Sequence, residues 1–352
     1  MKEKLVLVGN GMAGVRTLEE LLEIAPDKYD ITVFGAEPFG NYNRIMLSPV
    51  LAGEKTVDDI MLNDEQWYSD NGITLHKGKT ITRIDRVKKQ VIAADGTAAA
   101  YDRLLLATGS NPFMIPVPGK DKEGVIAFRD IHDVDTMLQA SQDYKKAVVI
   151  GGGLLGLEAA NGLMKQGMDV TVVHLLDSLM ERQLDKPASA LLKASLEERG
   201  MTFLMEAATQ EIIGNGRVQG VRFKDGSEVE ADLVVMGVGI VPSTELASAS
   251  GLHCERGIVV NDVMQTFDPA IYAVGECAQH RGIAYGLVAP LFEQGKVAAN
   301  QLDGLGFGSY KGSVTSSKLK VSGIDLCSAG DLNESAGDVV ISLLDPCAGR
   351  SK

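Results

Sequence analysis

One pattern occurs twice in this chain: an apolar run, a glycine-rich turn, a helical stretch and a second apolar run. The first copy is Lys4–Val8, Gly9-Asn10-Gly11-Met12-Ala13-Gly14, a helical pattern through Leu21, Leu22 and Ile24, then Asp30–Phe34. The second is Ala147–Ile150, Gly151-Gly152-Gly153-Leu154-Leu155-Gly156, a helical run to Gln166, then Asp169–Val173. Strands that are apolar without alternation fit a parallel sheet covered on both faces. Two such units predict two doubly wound α/β domains in one chain.

The two glycine turns carry a specific expectation. In the spacing G-x-G-x-x-G the first glycine makes the tight turn. The second lets the backbone approach a pyrophosphate, and the third lets the helix pack on the strand. The helix start then presents free N–H groups and a positive dipole end to an anion. For the first loop, Gly9, Gly11, Met12, Ala13 and Gly14 are candidate dinucleotide contacts, and Glu37, just past the second strand, is a candidate for the ribose hydroxyls. For the second, the candidates are Gly151, Gly153, Leu154, Leu155, Gly156 and the strand-end His174, with Gly239 closing a later buried strand. The second copy lacks a ribose acid directly after its strand, and Asp177 comes late. Glu158 is expected in the first turn of its helix, either favouring the dipole or standing near a nicotinamide or flavin ring.

Between the copies, Ile84-Asp85, Val91–Ala93 and Asp95-Gly96 read as a small β-meander, and Tyr101–Gly109 as a buried strand entering a turn. Asn111-Pro112 and Pro116–Gly119 mark a crossing between domains. The second half echoes that order, with Gly216–Gly226 reading as a hairpin and Ala231–Gly239 as another buried strand ending in a glycine turn. The expected partition is 1–110 with 241–310, then 111–240, then a short, truncated α+β segment at 311–352. At 352 residues the chain has room for two or three cored domains.

The net charge is −13 with no basic cluster, which argues against nucleic acid as a partner. The expectation is a cytoplasmic protein without signal peptide or membrane span. Cys254, Cys277, Cys327 and Cys347 form no metal-type spacing, so no metal is expected and buried reduced thiols are.

The stretch QTFDPAIYAVGE, ending in Gly275-Glu276, closely resembles the second FAD motif of two-dinucleotide-domain flavoprotein reductases, the pyridine nucleotide-disulfide oxidoreductase-like group that includes rubredoxin and ferredoxin reductases. Residues 40–54 (GNYNRIMLSPVLAGE), 180–185 (MERQLD), 275–282 (GECAQHRG) and 315–323 (TSSKLKVSG) resemble the N-terminal FAD/NAD(P)H reductase portion of assimilatory NAD(P)H nitrite reductase large subunits. The resemblance implies FAD at the first loop and NADH, with NADPH also admissible, at the second. It implies further FAD contacts at Arg44, Ile81, Ala107, Thr108, Gly109, Gly275, Glu276 and Val288, with Arg44 and Glu158 near the flavin or nicotinamide. Tyr42, Asn43 and Ala289-Pro290 would line the flavin, with Lys318 a weaker candidate, and Arg129 would be structural.

The function so implied is hydride transfer from NAD(P)H to FAD, with electrons passed to an iron–sulfur, rubredoxin or sirohaem acceptor. Complete nitrite reductase subunits add cysteine-rich iron–sulfur and sirohaem modules that this chain lacks, so it is not expected to reduce nitrite alone. No cysteine lies in Asn41–Ser48, where dithiol and peroxidase relatives carry theirs. An oxygen-using NADH oxidase and a non-catalytic flavin-binding redox module stand as alternatives.

Overall fold

The computed structural model describes residues 2–321, 323–330, 344–345 and 350–351; Ser322 and Cys347 lie outside the described residues. In chain order, the elements that position the site are β1 (Glu3–Val8), α1 (Met12–Ile24), β2 (Tyr29–Phe34), β3 (Thr74–His76) and β4 (Arg103–Leu106). They continue with β5 (Val125–Ala127), β6 (Lys146–Ile150), α2 (Leu154–Lys165), β7 (Asp169–Val173), β8 (Thr202–Leu204), β9 (Leu233–Met236), β10 (Ile271–Ala273) and α3 (Val288–Asp303).

The chain divides into two compact units. The described residues of Met1–Asn43, Ile60–Asn111 and Ile240–Thr315 form unit 1; those of Arg44–Asp59, Pro112–Gly239 and Ser316–Lys352 form unit 2. Unit 1 holds a parallel sheet in the order β10-β4-β1-β2-β3. Unit 2 repeats it as β5-β9-β6-β7-β8. In each sheet the strand before the glycine turn is central, and the chain order reverses beside it, which opens a crevice at the carboxyl ends of the strands. Each unit adds a three-stranded antiparallel meander, Ile81–Asp85 with Gln90–Ala93 and Ala98–Ala100 in unit 1, Thr209–Ile213 with Gly220–Phe223 and Glu228–Glu230 in unit 2.

The strands are apolar because both faces are covered. Leu5, Leu7, Leu104, Leu105 and Leu106 have no solvent exposure in unit 1, nor have Val148, Val149 and Leu157 in unit 2. Each such side chain contributes about 1.5–3 kcal/mol through burial. In unit 1, α3 lies along α1, and the absence of a side chain at Gly295 permits it: a Cβ there would sit 2.9 Å from Thr17 Oγ1.

The segment Arg44–Asp59 belongs to unit 2, although chain order alone groups it with the first domain. The cause is local packing. Leu51, fully buried on the short helix Leu47–Leu51, seats against Gly162 of α2, and Gln166 Nε2 donates to Leu51 O at 2.7 Å. Cys277 is buried and Cys254 half-buried, but Cys327 is exposed, contrary to the expected burial. It sits opposite the exposed Lys318 on the two-stranded hairpin Ser316–Lys318 with Cys327–Ala329, whose middle residue Ser317 is the buried one. Among the described residues no helix is long and apolar enough to cross a membrane.

Candidate functional site

In unit 1 a cleft of about 470 Å³ opens at the carboxyl ends of β1, β2 and β4. Gly9, Ala36, Thr80, Ile81, Thr108 and Ser243 line it. Gly9 turns the chain at φ +110°, and a Cβ there would stand 2.1 Å from Ala107 O, so the turn is wedged against the end of β4. Gly14 is similarly tight against Ala107 and Leu7. Gly11 differs, since a Cβ there would meet nothing within 4 Å. It is the N-cap of α1, which has no side-chain cap and no acid in its first turn. The first N–H groups of α1, beginning with Met12 and Ala13, are therefore left for an anion.

The other predicted residues of unit 1 come together around this loop. Gly275 opens a short 3-10 turn with Glu276 and Cys277, and its ideal Cβ would lie 3.0 Å from Ala13 Cβ. Its N–H donates to Gln294 Oε1 of α3 at 2.9 Å. The Ser110 hydroxyl donates to Glu276 Oε2 at 2.7 Å, and Thr108 Oγ1 to Ser243 O at 2.8 Å. Gly109 carries φ +68° between them, and Val288 is the first residue of α3. Glu37 follows β2 and accepts from the Tyr42 hydroxyl at 2.7 Å.

Asn10 was not singled out from the sequence. Tyr68 donates to its Oδ1 at 2.7 Å, while its Nδ2 is buried without a hydrogen-bond partner. A buried orphan donor inside a glycine loop is costly unless something accepts from it. Together with the open space at Gly11 and the uncapped helix, it fits a pyrophosphate-bearing dinucleotide. Lys79, Thr80 and Ser243 also line the cleft and carry no sequence signature; Lys79 pairs with Asp95.

Unit 2 repeats the loop. Gly151 has φ +121° and sits against Gly237 O, Gly156 sits against Gly151 O, and Gly153, the uncapped start of α2, faces open space. Leu154 and Leu155 form the first turn, with Leu155 exposed. Gly239 has φ +116° and is likewise open. His174 follows β7, buried, and its Nδ1 accepts the Gly152 N–H at 3.1 Å. Asp177 is exposed and bonded to Lys186 at 2.6 Å, which holds its carboxyl below the usual range.

Glu158 is not in the first turn of its helix. α2 begins at Leu154, which places Glu158 in the second turn, 2% exposed. Its carboxylate is met from within unit 2: the Ser48 hydroxyl donates to Oε2, the Lys320 N–H donates to Oε1 at 2.9 Å, and Lys320 Nζ stands 3.9 Å away. Burial is the main cause that raises this carboxyl above its ordinary range, and the two hydrogen bonds and the cation only partly offset it. Arg44 donates to Arg129 O at 2.7 Å, and Lys318 lies 3.7 Å from Asp325.

Residues 3–301 match the family model described as pyridine nucleotide-disulphide oxidoreductase. The chain is 59% identical over 351 residues to a nitrite reductase [NAD(P)H] of Bacillus subtilis (strain 168), covering all of this chain and 44% of that protein. It is 49% identical over 351 residues to the assimilatory nitrate reductase electron transfer subunit of the same organism, covering all of this chain and 46% of that protein. The chain thus spans less than half the length of these relatives. Among solved structures, the covalent putidaredoxin reductase–putidaredoxin complex superposes with a TM-score of 0.88 at 31% identity, over 97% of this chain and 84% of that one.

Proposed function

Because the chain belongs to the pyridine nucleotide-disulphide oxidoreductase family, we propose that it is an FAD-dependent NAD(P)H reductase that feeds a separate one-electron acceptor. The observation that carries this is the pair of open, uncapped helix starts at Gly11 and Gly153, each at the switch point of its own parallel sheet. One chain with two such loops suits two dinucleotides, FAD in unit 1 and NADH or NADPH in unit 2.

When bound, the flavin supplies the redox chemistry, accepting two electrons as hydride from the nicotinamide and releasing them singly. The chain's own residues bind and orient. α1 and Asn10 would hold the pyrophosphate, Glu37 the adenosine ribose, and Glu276, oriented by Ser110, the ribityl chain. α2 would hold the second pyrophosphate. Glu158, buried and raised, would be a neutral or ionised group according to its surroundings rather than a fixed charge.

The acceptor is an iron–sulfur, rubredoxin or sirohaem centre on a partner domain or protein; one relative is named an electron transfer subunit, and one structural neighbour is a reductase in covalent complex with putidaredoxin. A cytoplasmic location goes with the free thiols at Cys254, Cys277 and Cys327.

The test is an anaerobic titration of the purified protein with NADH, and in parallel NADPH, followed by visible absorbance. Bleaching of a bound flavin at stoichiometric nucleotide supports the reductase. A chain that cannot be loaded with FAD sinks it. Failure to reduce artificial one-electron acceptors despite bleaching would leave the flavin-binding module.

A further inference from the structure

The second loop has three consecutive glycines where the first has Gly9-Asn10-Gly11. The extra glycine has a local cause. A Cβ at Gly152 would lie 2.6 Å from Leu179 Cδ2 and 2.9 Å from His174 Cγ, so the His174 ring and the 179–181 turn occupy the space that a side chain would need. Gly152 is bonded to both. Its N–H donates to His174 Nδ1 at 3.1 Å, and its carbonyl accepts from Met180 N–H at 3.0 Å. Met180 takes φ +51° to make that bond, an unusual conformation for a non-glycine residue.

A backbone N–H can only donate, so His174 Nδ1 carries no proton and Nε2 carries the ring hydrogen. The His174 side chain is 9% exposed, and Nε2 is buried without a hydrogen-bond partner. The carboxylate oxygen Glu181 Oε2 stands 3.4 Å from it, outside hydrogen-bond geometry, on a side chain that is 34% exposed. Leu175 and Leu176, directly after His174, are 64% and 44% exposed and form an apolar rim.

In sheets of this kind an acid at the end of the second strand accepts the adenosine-ribose 2′-hydroxyl of NAD. Here that place is taken by a histidine locked as a donor. We infer that Glu181 is the carboxylate that meets the 2′-hydroxyl, with His174 as its positioning residue, and that it makes this chain prefer NADH to NADPH. The inference rests on reading the second loop as the NAD(P)H site. A fixed negative charge beside a 2′-phosphate is unfavourable, and Lys186 is already held by Asp177. Arg182, exposed and next in sequence, is the group that would favour the phosphate were the inference wrong.

The test is calorimetric titration of the flavin-loaded protein with ADP-ribose and with 2′-phospho-ADP-ribose, which needs no turnover. The native protein is expected to bind ADP-ribose about tenfold or more tightly than its phosphorylated form. Glu181→Gln and His174→Ala should bring the two affinities to within about threefold, and Glu181→Lys should reverse the order. General damage to the fold weakens both ligands alike, so the ratio separates discrimination from stability. An unchanged ratio in Glu181→Gln and Glu181→Lys, or a native preference for the phosphorylated ligand, overturns the inference while leaving the NAD(P)H site intact. Binding of neither ligand to the native protein removes the site itself, and the inference with it.

Discussion

The Ser48 hydroxyl donates to the carboxylate of Glu158, 110 residues away in sequence, inside unit 2. Glu158 is nearly inaccessible, and burial raises its carboxyl above the ordinary range. A carboxyl whose folded pKa exceeds its unfolded one favours the folded state while it is protonated. That contribution is present below the ordinary carboxylate range and is lost as pH rises through the raised folded value. Glu158→Gln keeps the group neutral at every pH. Thermal melts across a pH series are therefore expected to show the variant more stable than the native protein above neutrality and the two converging in acid. A deficit in the variant that opens above the carboxylate range and vanishes in acid would mean that the bonds from Ser48 and Lys320 to the ionised form dominate instead.

Gly9 and Gly11 separate a folding requirement from a binding one. Gly9→Ala would force a Cβ to within 2.1 Å of a backbone carbonyl at a φ of +110°. It should cost roughly 3 kcal/mol or more, from strain and displacement of β4. Gly11→Ala meets no atom of the chain and has an ordinary φ of −85°. Its stability should stay within about 1 kcal/mol of native, the usual range for a changed N-cap. Flavin content, read as bound absorbance per protein, should nevertheless fall in both. Normal flavin content in Gly11→Ala would argue against a pyrophosphate at that helix start.

Both loops were legible because their chemistry is local. A buried parallel strand has to be a continuous apolar run, as in Leu5–Val8 and Ala147–Ile150, and a turn wedged against a neighbouring strand has to be glycine. The parallel sheets follow from such runs and the first meander from short strands and turns, whereas of the second meander only a hairpin at Gly216–Gly226 is legible. What stayed hidden depends on partners distant in the chain. Nothing near Glu158 announces Ser48 or Lys320, and nothing near Leu51 announces that Gly162 leaves it a seat. Asn10 occupies a position that the glycine pattern leaves unspecified, so its orphan Nδ2 needed the buried setting made by Tyr68 and Asn41. The first-turn placement of Glu158 failed by one turn because the helix start is set by Gly153, three residues before the third glycine.

Leu51 and Gly162 provide a signed test of that packing. An alanine in mid-helix is favoured over glycine by about 1 kcal/mol. At Gly162, however, the new Cβ would stand 2.6 Å from Leu51 Cγ, and Leu51 is fully enclosed. Gly162→Ala is expected to destabilise, and Leu51→Ala to cost about 2–5 kcal/mol through the cavity it leaves. In the Leu51→Ala background Gly162→Ala should cost markedly less, because the approaches to Leu51 Cγ and Cδ2 are gone, only the 3.1 Å approach to the Cβ stays, and the helix preference remains. Urea unfolding of the four proteins gives the coupling energy directly. Additive single effects would show that the two residues do not share the space.

Ser110 and Glu276 test orientation without altering charge. The hydroxyl donates to Glu276 Oε2 at 2.7 Å, and Ser110 is buried beside the turn that Gly275 opens. A hydrogen bond to an ionised acceptor is worth about 1.5–3 kcal/mol. Within the proposed site, its loss would loosen the hold on the carboxylate's orientation toward the ribityl chain. Ser110→Ala is therefore expected to weaken FAD retention by about tenfold or more, measured as flavin fluorescence released on dilution. Ser110→Thr, which keeps the hydroxyl, should recover most of it. If Ser110→Ala lowers the melting temperature and leaves flavin affinity untouched, the bond serves the fold alone, and Glu276 would need no partner at Ser110 to hold the cofactor.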